Sequence, residues 1–344
     1  MNARRFAEPG AGPIAAAGAT SATGAATTAA DGLGPLRLPG WGGFDPARLQ
    51  GDRRSDAWRS FATASRLGWA MEANWTDPVL FFIYSVAKPV SAALILVVML
   101  EVISGGTSPE LRGYVVVGSA LWSFVISGIA GLAWSVLDDR ERYRMLKYVY
   151  VSPSDFLTVL MGRGLARIAV GAMGAIITLG VGVIVLGVPF DIARVDWLML
   201  AVVTPLGLGS IIAIGAMLAA ICLQTRQDSW TYPEAVAGAM FLVSGAVFPL
   251  AVLPFAAQVV GLCLPVTWWL EGTRRALFPG GVGGIGGEGS AWLDITGTLA
   301  PTSAQVVLAL LVTGLVGTLA ALASFSVSER RAKDRGLLDQ TSGS

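Results

Sequence analysis

Side chains able to do covalent or proton-transfer chemistry are scarce in this sequence. It contains no histidine, which removes imidazole bases and histidine metal ligands. Its two cysteines, Cys222 and Cys263, lie far apart in apolar runs with no CxxC spacing. Neither a zinc site nor a redox pair is expected, and both cysteines read as small buried hydrophobes. Charge gathers in one place. The stretch LDDRERYRMLKYVYVSP, residues 137–153, sets seven charged side chains among the ten residues from Asp138 to Lys147, in a chain only 14% charged overall. Its acids sit together rather than facing one another across a site, so they do not form a catalytic carboxylate pair. Mixed signs on a short surface instead give specificity and register with a partner.

The surrounding composition says what kind of chain carries that segment. The 344 residues are 54% hydrophobic with a net charge of +1 and a mean hydropathy of +0.64. Soluble domains carry about 25% charged residues, so these values predict a membrane protein, and the near-neutral balance implies no nucleic-acid partner. Residues 1–52, rich in Ala, Gly, Thr and Pro, read as a disordered cytoplasmic tail, because they cannot bury enough apolar surface to offset their ordering entropy. Over 53–77, Ala57, Phe61, Ala64, Gly68, Met71 and Trp75 recur at steps of three and four, with Arg59, Thr63 and Arg66 elsewhere. That pattern predicts an amphipathic interfacial helix with tryptophans at headgroup level; a helix packed on protein would show the same periodicity.

Six long apolar runs follow, at 79–103, 113–137, 158–188, 197–223, 233–253 and 302–327. Each is about the 20 residues a span needs, so the fold class expected is all-α and polytopic, with a transmembrane domain over 78–330. Residues 254–278, broken by Pro254 and Pro265 and carrying Glu271, Arg274 and Arg275, predict a re-entrant or interfacial helical hairpin before the last span. The Gly-rich PGGVGGIGGEGS after it reads as a flexible loop. With both termini inside, the cytoplasmic side holds Arg53, Arg54, Arg59, Arg66, Arg140, Arg142, Arg144, Lys147, Arg163, Arg167, Arg226, Arg330, Arg331, Lys333 and Arg335, and the outside only Arg112, Arg194, Arg274 and Arg275. This asymmetry fits the positive-inside rule and makes 331–344 a cytoplasmic tail. It also places the charged segment in the first cytoplasmic loop. Within the first span, Lys88 precedes Pro89 and either snorkels to the interface or faces an acid or a lined cavity.

Two stretches carry a family resemblance. DDRERYRMLKYVYVSPSDFLTVLMGRGLARI resembles the coupling segment of ABC-2-type transporter permeases, with an acidic–basic pair, an apolar helical turn, a Ser-Pro and the start of the third span. GAVFPLAVLPFAAQVVGLCLPVTWWLEGTRRAL, residues 245–277, is similar to the family's C-terminal signature of Phe-Pro, Leu-Pro, Pro-Thr-aromatic and Glu-Gly-x-Arg. The resemblance implies the transmembrane permease of an ABC exporter, working as a homodimer or with a paralogous second permease. It carries no chemistry of its own; ATP and magnesium are expected on a separate ATP-binding subunit. No GxxxxGK[ST] loop occurs in this sequence, in keeping with that division. By the same resemblance the docking residues are Asp139, Arg140, Glu141, Arg142, Tyr143, Leu146, Val149, Ser152 and Pro153, and spans two and five line the central route, with Trp122, Phe124, Phe241 and Phe248 as candidates. Arg274 and Arg275 are candidates for lipid phosphate contact at the exit side. An amphiphile (drug, lipid or glycolipid) crossing a bacterial inner membrane is the expected cargo. An ion-coupled secondary transporter or an intramembrane lipid-modifying enzyme are the alternatives. Against them stand the near absence of intramembrane acids and the lack of an inverted repeat.

Overall fold

The computed structural model describes residues 53–73, 78–104, 109–152, 154–225, 230–281 and 283–334. The N-terminal tail to residue 52, Trp75, Pro153 and 335–344 lie outside them. The described residues form helices and no strands. In order these are α1 (Arg53–Ala73), α2 (Pro78–Ser104), α3 (Pro109–Leu137), α4 (Leu146–Val151), α5 (Phe156–Ile184), α6 (Trp197–Gln224), α7 (Thr231–Val243), α8 (Phe255–Cys263), α9 (Pro265–Leu277), α10 (Ala291–Thr296) and α11 (Ser303–Asp334). One turn of π-helix, Asp138–Arg142, prolongs α3.

Local chemistry sets several of the boundaries. Asp155 and Asp196 accept the backbone N–H groups of Thr158 and Met199 at 3.0 and 2.9 Å, capping α5 and α6. Thr302 and Gln305 bond reciprocally at the start of α11, at 2.7 and 3.3 Å, which satisfies two donors the helix leaves free. Among the described residues four helices are long and apolar enough to cross a membrane: Leu111–Arg142, Phe156–Ile184, Trp197–Gln224 and Ser303–Arg331. Helix α2 covers the first predicted span over 27 residues, with a shorter apolar core at Val90–Met99. These chain segments make the protein a multi-pass membrane protein.

The fifth predicted run differs from expectation. Helix α7 has 13 residues, about 20 Å at 1.5 Å per residue, and stops at Gly245, whose φ is +72°. The apolar residues that follow leave the helix for a short turn at Leu250–Val252 and then fold back as α8 and α9, which meet at Leu264–Pro265. Yet the segment is tied to both ends of α3. Trp230 donates to Glu141 at 2.6 Å, and Tyr114 donates to the Gly245 carbonyl at 2.5 Å.

Helix α3 is the axis of the structure, with 67% of its apolar window buried against 22% for α11. It runs antiparallel to α5 at very short range. Gly164, Gly171 and Gly182 of α5 face Leu132, Ser127 and Val116 of α3, so residue numbers fall along one helix as they rise along the other. These glycines of α5 let the two helices approach closely, as small residues do between lipid-embedded helices. Helix α6 also packs on α3, α11 packs on α6, and α9 lies buried among α3, α6 and α11 around Trp268, Trp269 and Leu270. Helix α1 crosses α5 where Gly68 and Gly162 let the backbones touch. Trp58 and Trp69 stay exposed on its other side, at 68% and 47%. The pattern expected for an interfacial helix thus also packs on protein.

Two further expectations change. Cys222 is buried, as read from its apolar run, but Cys263 is exposed at the end of α8. The Gly-rich loop is anchored rather than loose. Ile285 is buried, Gly284 receives a bond from Leu250 N at 2.8 Å and gives one to Glu271 at 2.6 Å, and Gly287 donates to Leu299.

The contact of α6 with α9 yields a paired prediction. A Cβ on Gly207 would overlap the Trp269 indole, whereas one on Gly209 meets nothing within 4 Å. Gly207→Ala should destabilise the detergent-purified protein by about 1–3 kcal/mol, read as a lowered thermal midpoint. Gly209→Ala should hold or raise that midpoint.

Candidate functional site

Polar side chains collect at the two ends of α3. At the end carrying Asp138, the helix widens into its π turn and points two carboxylates inward. Asp138 is 8% and Asp139 4% exposed. Arg167 of α5 donates to Asp138 at 2.6 Å and also pairs with Glu72 of α1 at 2.9 Å. Arg163, one turn earlier on α5, pairs with Asp139 and donates to the Met71 sulfur at 3.1 Å. Three helices are therefore joined by one ionic cluster. A cavity of about 340 Å³ opens beside it, walled by Glu72, Arg142, Arg163, Arg167, Trp230 and Glu234 among others.

The proposed docking residues divide between inside and outside. Arg140, expected as a partner contact, is 5% exposed. It donates to the carbonyls of Cys222 and Thr225 at 3.0 and 2.9 Å and to Glu141 at 2.8 Å. It thus satisfies carbonyls that the end of α6 leaves open. Leu146, expected as an apolar anchor, is 1% exposed and lies in a core cluster with Leu132, Phe156 and Leu160; Val149 packs partly against the same cluster. Glu141 is held by Trp230 and Arg140. Arg142 and Tyr143 are exposed, with the guanidinium 5.7 Å from the ring centroid. Arg144, at φ +51°, turns the chain into α4, where Tyr148 is 68% exposed. Ser152 caps α4 through Val149 O at 2.7 Å and is extended, as a residue before proline must be.

At the other end of α3 the structure assembles a second polar centre. Arg274 of α9 is 5% exposed. Its guanidinium lies 3.7 Å from the centroid of Tyr114 and donates to the Gly245 and Ala246 carbonyls at 2.9 and 2.6 Å. Arg275 donates to Glu271 at 2.6 Å and to the Pro301 carbonyl. Both arginines tie the α8–α9 hairpin and its loop to the bundle. Sequence reading missed Tyr114, Glu271 and Gln258 as parts of this centre. Gln258, 3% exposed, donates to Leu253 O at 2.8 Å and accepts from Ala291 N at 2.6 Å. A buried Gln and a buried Glu in a broken apolar segment were the available signal, since such groups need partners.

The aromatic candidates do not form one surface. Trp122 and Phe241 meet with centroids 4.8 Å apart, joining α3 to α7. Phe124 stacks instead on Trp269 of α9 at 5.4 Å. Two positions apart on a helix, Trp122 and Phe124 point about 200° from each other and so meet different neighbours. Phe248 is half-buried beyond the end of α7.

The ionic cluster implies a contrast. Asp139→Ala leaves Arg163 buried without its carboxylate and should cost about 3–5 kcal/mol, seen as loss of monodisperse protein on gel filtration. Arg142→Ala, on the exposed side of the same turn, should leave the thermal midpoint unchanged.

No curated protein matches the chain. The profile of one family, described as ABC-2 type transporter, matches residues 67–278. That range starts in α1, contains the ionic cluster and the whole of α3 to α9, and ends just past the two arginines. It covers more than half of the chain, and both stretches singled out in the sequence fall within it. The protein belongs to the ABC-2 type transporter family as a membrane-spanning permease component.

Proposed function

We propose that this permease is the membrane half of an ATP-driven exporter, and that the segment 138–153 is where a separate ATP-binding subunit, carrying ATP and magnesium, docks. One observation carries this reading. The segment divides into an inner row anchored to three helices and an outer row of Arg142, Tyr143, Arg144 and Tyr148 left exposed. A surface that only marked topology would need neither the anchoring nor the aromatic residues. With Asp139, Arg140, Leu146 and Val149 holding the segment rigidly to α3, α5 and α6, a push on the outer row moves helices rather than a loop. Glu141 and Ser152, with Pro153 beyond the described residues, complete the docking segment as its frame.

In this reading the bundle crosses the bacterial inner membrane six times, through α2, α3, α5, α6, α7 and α11, with both tails in the cytoplasm. Helix α7 supplies the fifth crossing despite its length, because its ends are tied to both ends of α3. Helices α8 and α9 form a re-entrant hairpin on the outer side. A second permease, identical or paralogous, completes the translocation route, and Trp122 and Phe241 line this chain's part of it. The cargo is an amphiphile, taken from the cytoplasm or the inner leaflet as ATP binding closes the ATPase pair and the two permeases rock. In this reading the chain carries no reaction of its own, in keeping with a transport component whose ATP hydrolysis belongs to the partner subunit.

The test uses the outer row. Arg142→Glu combined with Tyr148→Asp, co-expressed with the cognate ATP-binding subunit, should reduce copurification about tenfold or more and abolish transport-stimulated ATP hydrolysis, with an unchanged thermal midpoint for the permease alone. Unaltered copurification would reject docking at this segment. Glu141 is a poor choice for that test, because its loss frees Trp230 and Arg140 inside the protein.

A further inference from the structure

Two cavities at the Tyr114 end of α3 adjoin one another. The first, about 510 Å³, is walled by Tyr114, Phe190, Asp191, Arg194, Arg274 and Arg275 among others. The second, about 220 Å³, lies between α3, α5, α6 and α9 and is lined by Phe124, Ala175, Ile176, Leu200, Trp269 and Thr273 among others. Val117 and Leu277 belong to both walls. The first is rich in cations and the second is almost wholly apolar.

Charge in the first cavity does not cancel. Arg194 pairs with Asp191 at 3.3 Å and Arg275 with Glu271 at 2.6 Å. Arg274 has only carbonyls and the Tyr114 ring, with no carboxylate within 4 Å among the described residues. One buried positive charge is thus left over, which is costly unless an anion completes it. Three buried polar atoms on these walls also lack a hydrogen-bond partner among the described residues: Arg274 Nε, Thr273 Oγ1 and Trp269 Nε1. The apolar cavity reaches the surface between α5 and α6, where Ile176 is 72% exposed.

We infer that the two cavities are one binding site for a single anionic phospholipid, with its phosphodiester against Arg274 and an acyl chain between α5 and α6. A phosphodiester carries one negative charge, matching the one cation without a partner. Arg194 at the rim makes a zwitterionic headgroup a poorer fit, because its ammonium group would meet another cation. The lipid would act as a built-in part of the hairpin's support. The inference rests on placement in a membrane and not on ATP-driven export.

The test is lipid retention by the permease purified alone in mild detergent, so it stands or falls separately from the docking proposal. Protein reconstituted into vesicles of equal phosphatidylglycerol and phosphatidylcholine is re-extracted, and bound lipid is counted by native mass spectrometry. The wild type should keep one phosphatidylglycerol. Arg194→Glu, at an exposed position, should lower that occupancy about tenfold, and Ala175→Phe, which fills the apolar cavity, should abolish it. Arg274 is left intact, because it supports the Gly245 turn. Equal retention of phosphatidylcholine, or full retention by both variants, overturns the inference. Displacement by glycerol phosphate at matched concentration also overturns it, since the site would then bind a soluble phosphate ester without using the apolar cavity.

Discussion

Backbone carbonyls released inside a membrane must find donors within the protein, because no water is there to serve them. Where α7 stops at Gly245, two such carbonyls appear together, and the rest of the Tyr114 end is arranged to meet them. Tyr114 comes from α3 and Arg274 from α9. To deliver that guanidinium, α9 must lie inside the bundle, which demands the close seat against Gly207 and the packing of Gly272 on Val203. Gly118 of α3 leaves room for the Ala246 carbonyl itself. A broken helix thus dictates the position of an arginine, the burial of a hairpin and the identity of several small residues.

The opposite end solves a different problem. Four acids (Glu72, Asp138, Asp139 and Glu141) and three bases (Arg140, Arg163 and Arg167) come close together where helices α1, α3, α5 and α6 converge. Breaking such a buried network costs far more than forming it contributes. Its value is geometric: it gives a short charged segment one orientation relative to three long helices. Exposed aromatic residues on that segment can then be presented at a defined angle.

Much of this was legible in the sequence, and the limits are instructive. Helices α3, α5, α6 and α11 announce themselves by length and hydropathy, because a bilayer tests little else. The early end of α7 does not, since SGAVFPLAVL is as apolar as the helix before it and only Gly245 and Pro249 mark the change. Arg274 and Arg275 look like interfacial anchors because the carbonyls that claim them, of Gly245, Ala246 and Pro301, lie on other segments of the chain; only the Glu271 partner of Arg275, one turn back on α9, is a local relation. Likewise the mixed charges of DDRER suggested a partner surface. Two of the five, Asp138 and Asp139, turn inward because Arg163 and Arg167, more than twenty residues away in sequence, supply the opposite charges. Where a charge is answered within its own turn, as with Arg142 over Tyr143, sequence proximity does point to the correct exposure.

The π turn at Asp138–Arg142 also constrains how this chain can vary. A π turn holds one more residue than the α turn it replaces and is confined to single turns because its hydrogen bonds are poorer. Here the surplus residue turns Asp138 and Asp139 toward α5 while Arg140 reaches α6. Removing any one residue between 138 and 142 would restore an ordinary helix and rotate everything beyond it by about 100°, pointing the acids at the wrong neighbours. Replacing Asp139 strands one buried partner, but a change in length displaces all of them at once, so spacing as well as residue type is what divergence should preserve.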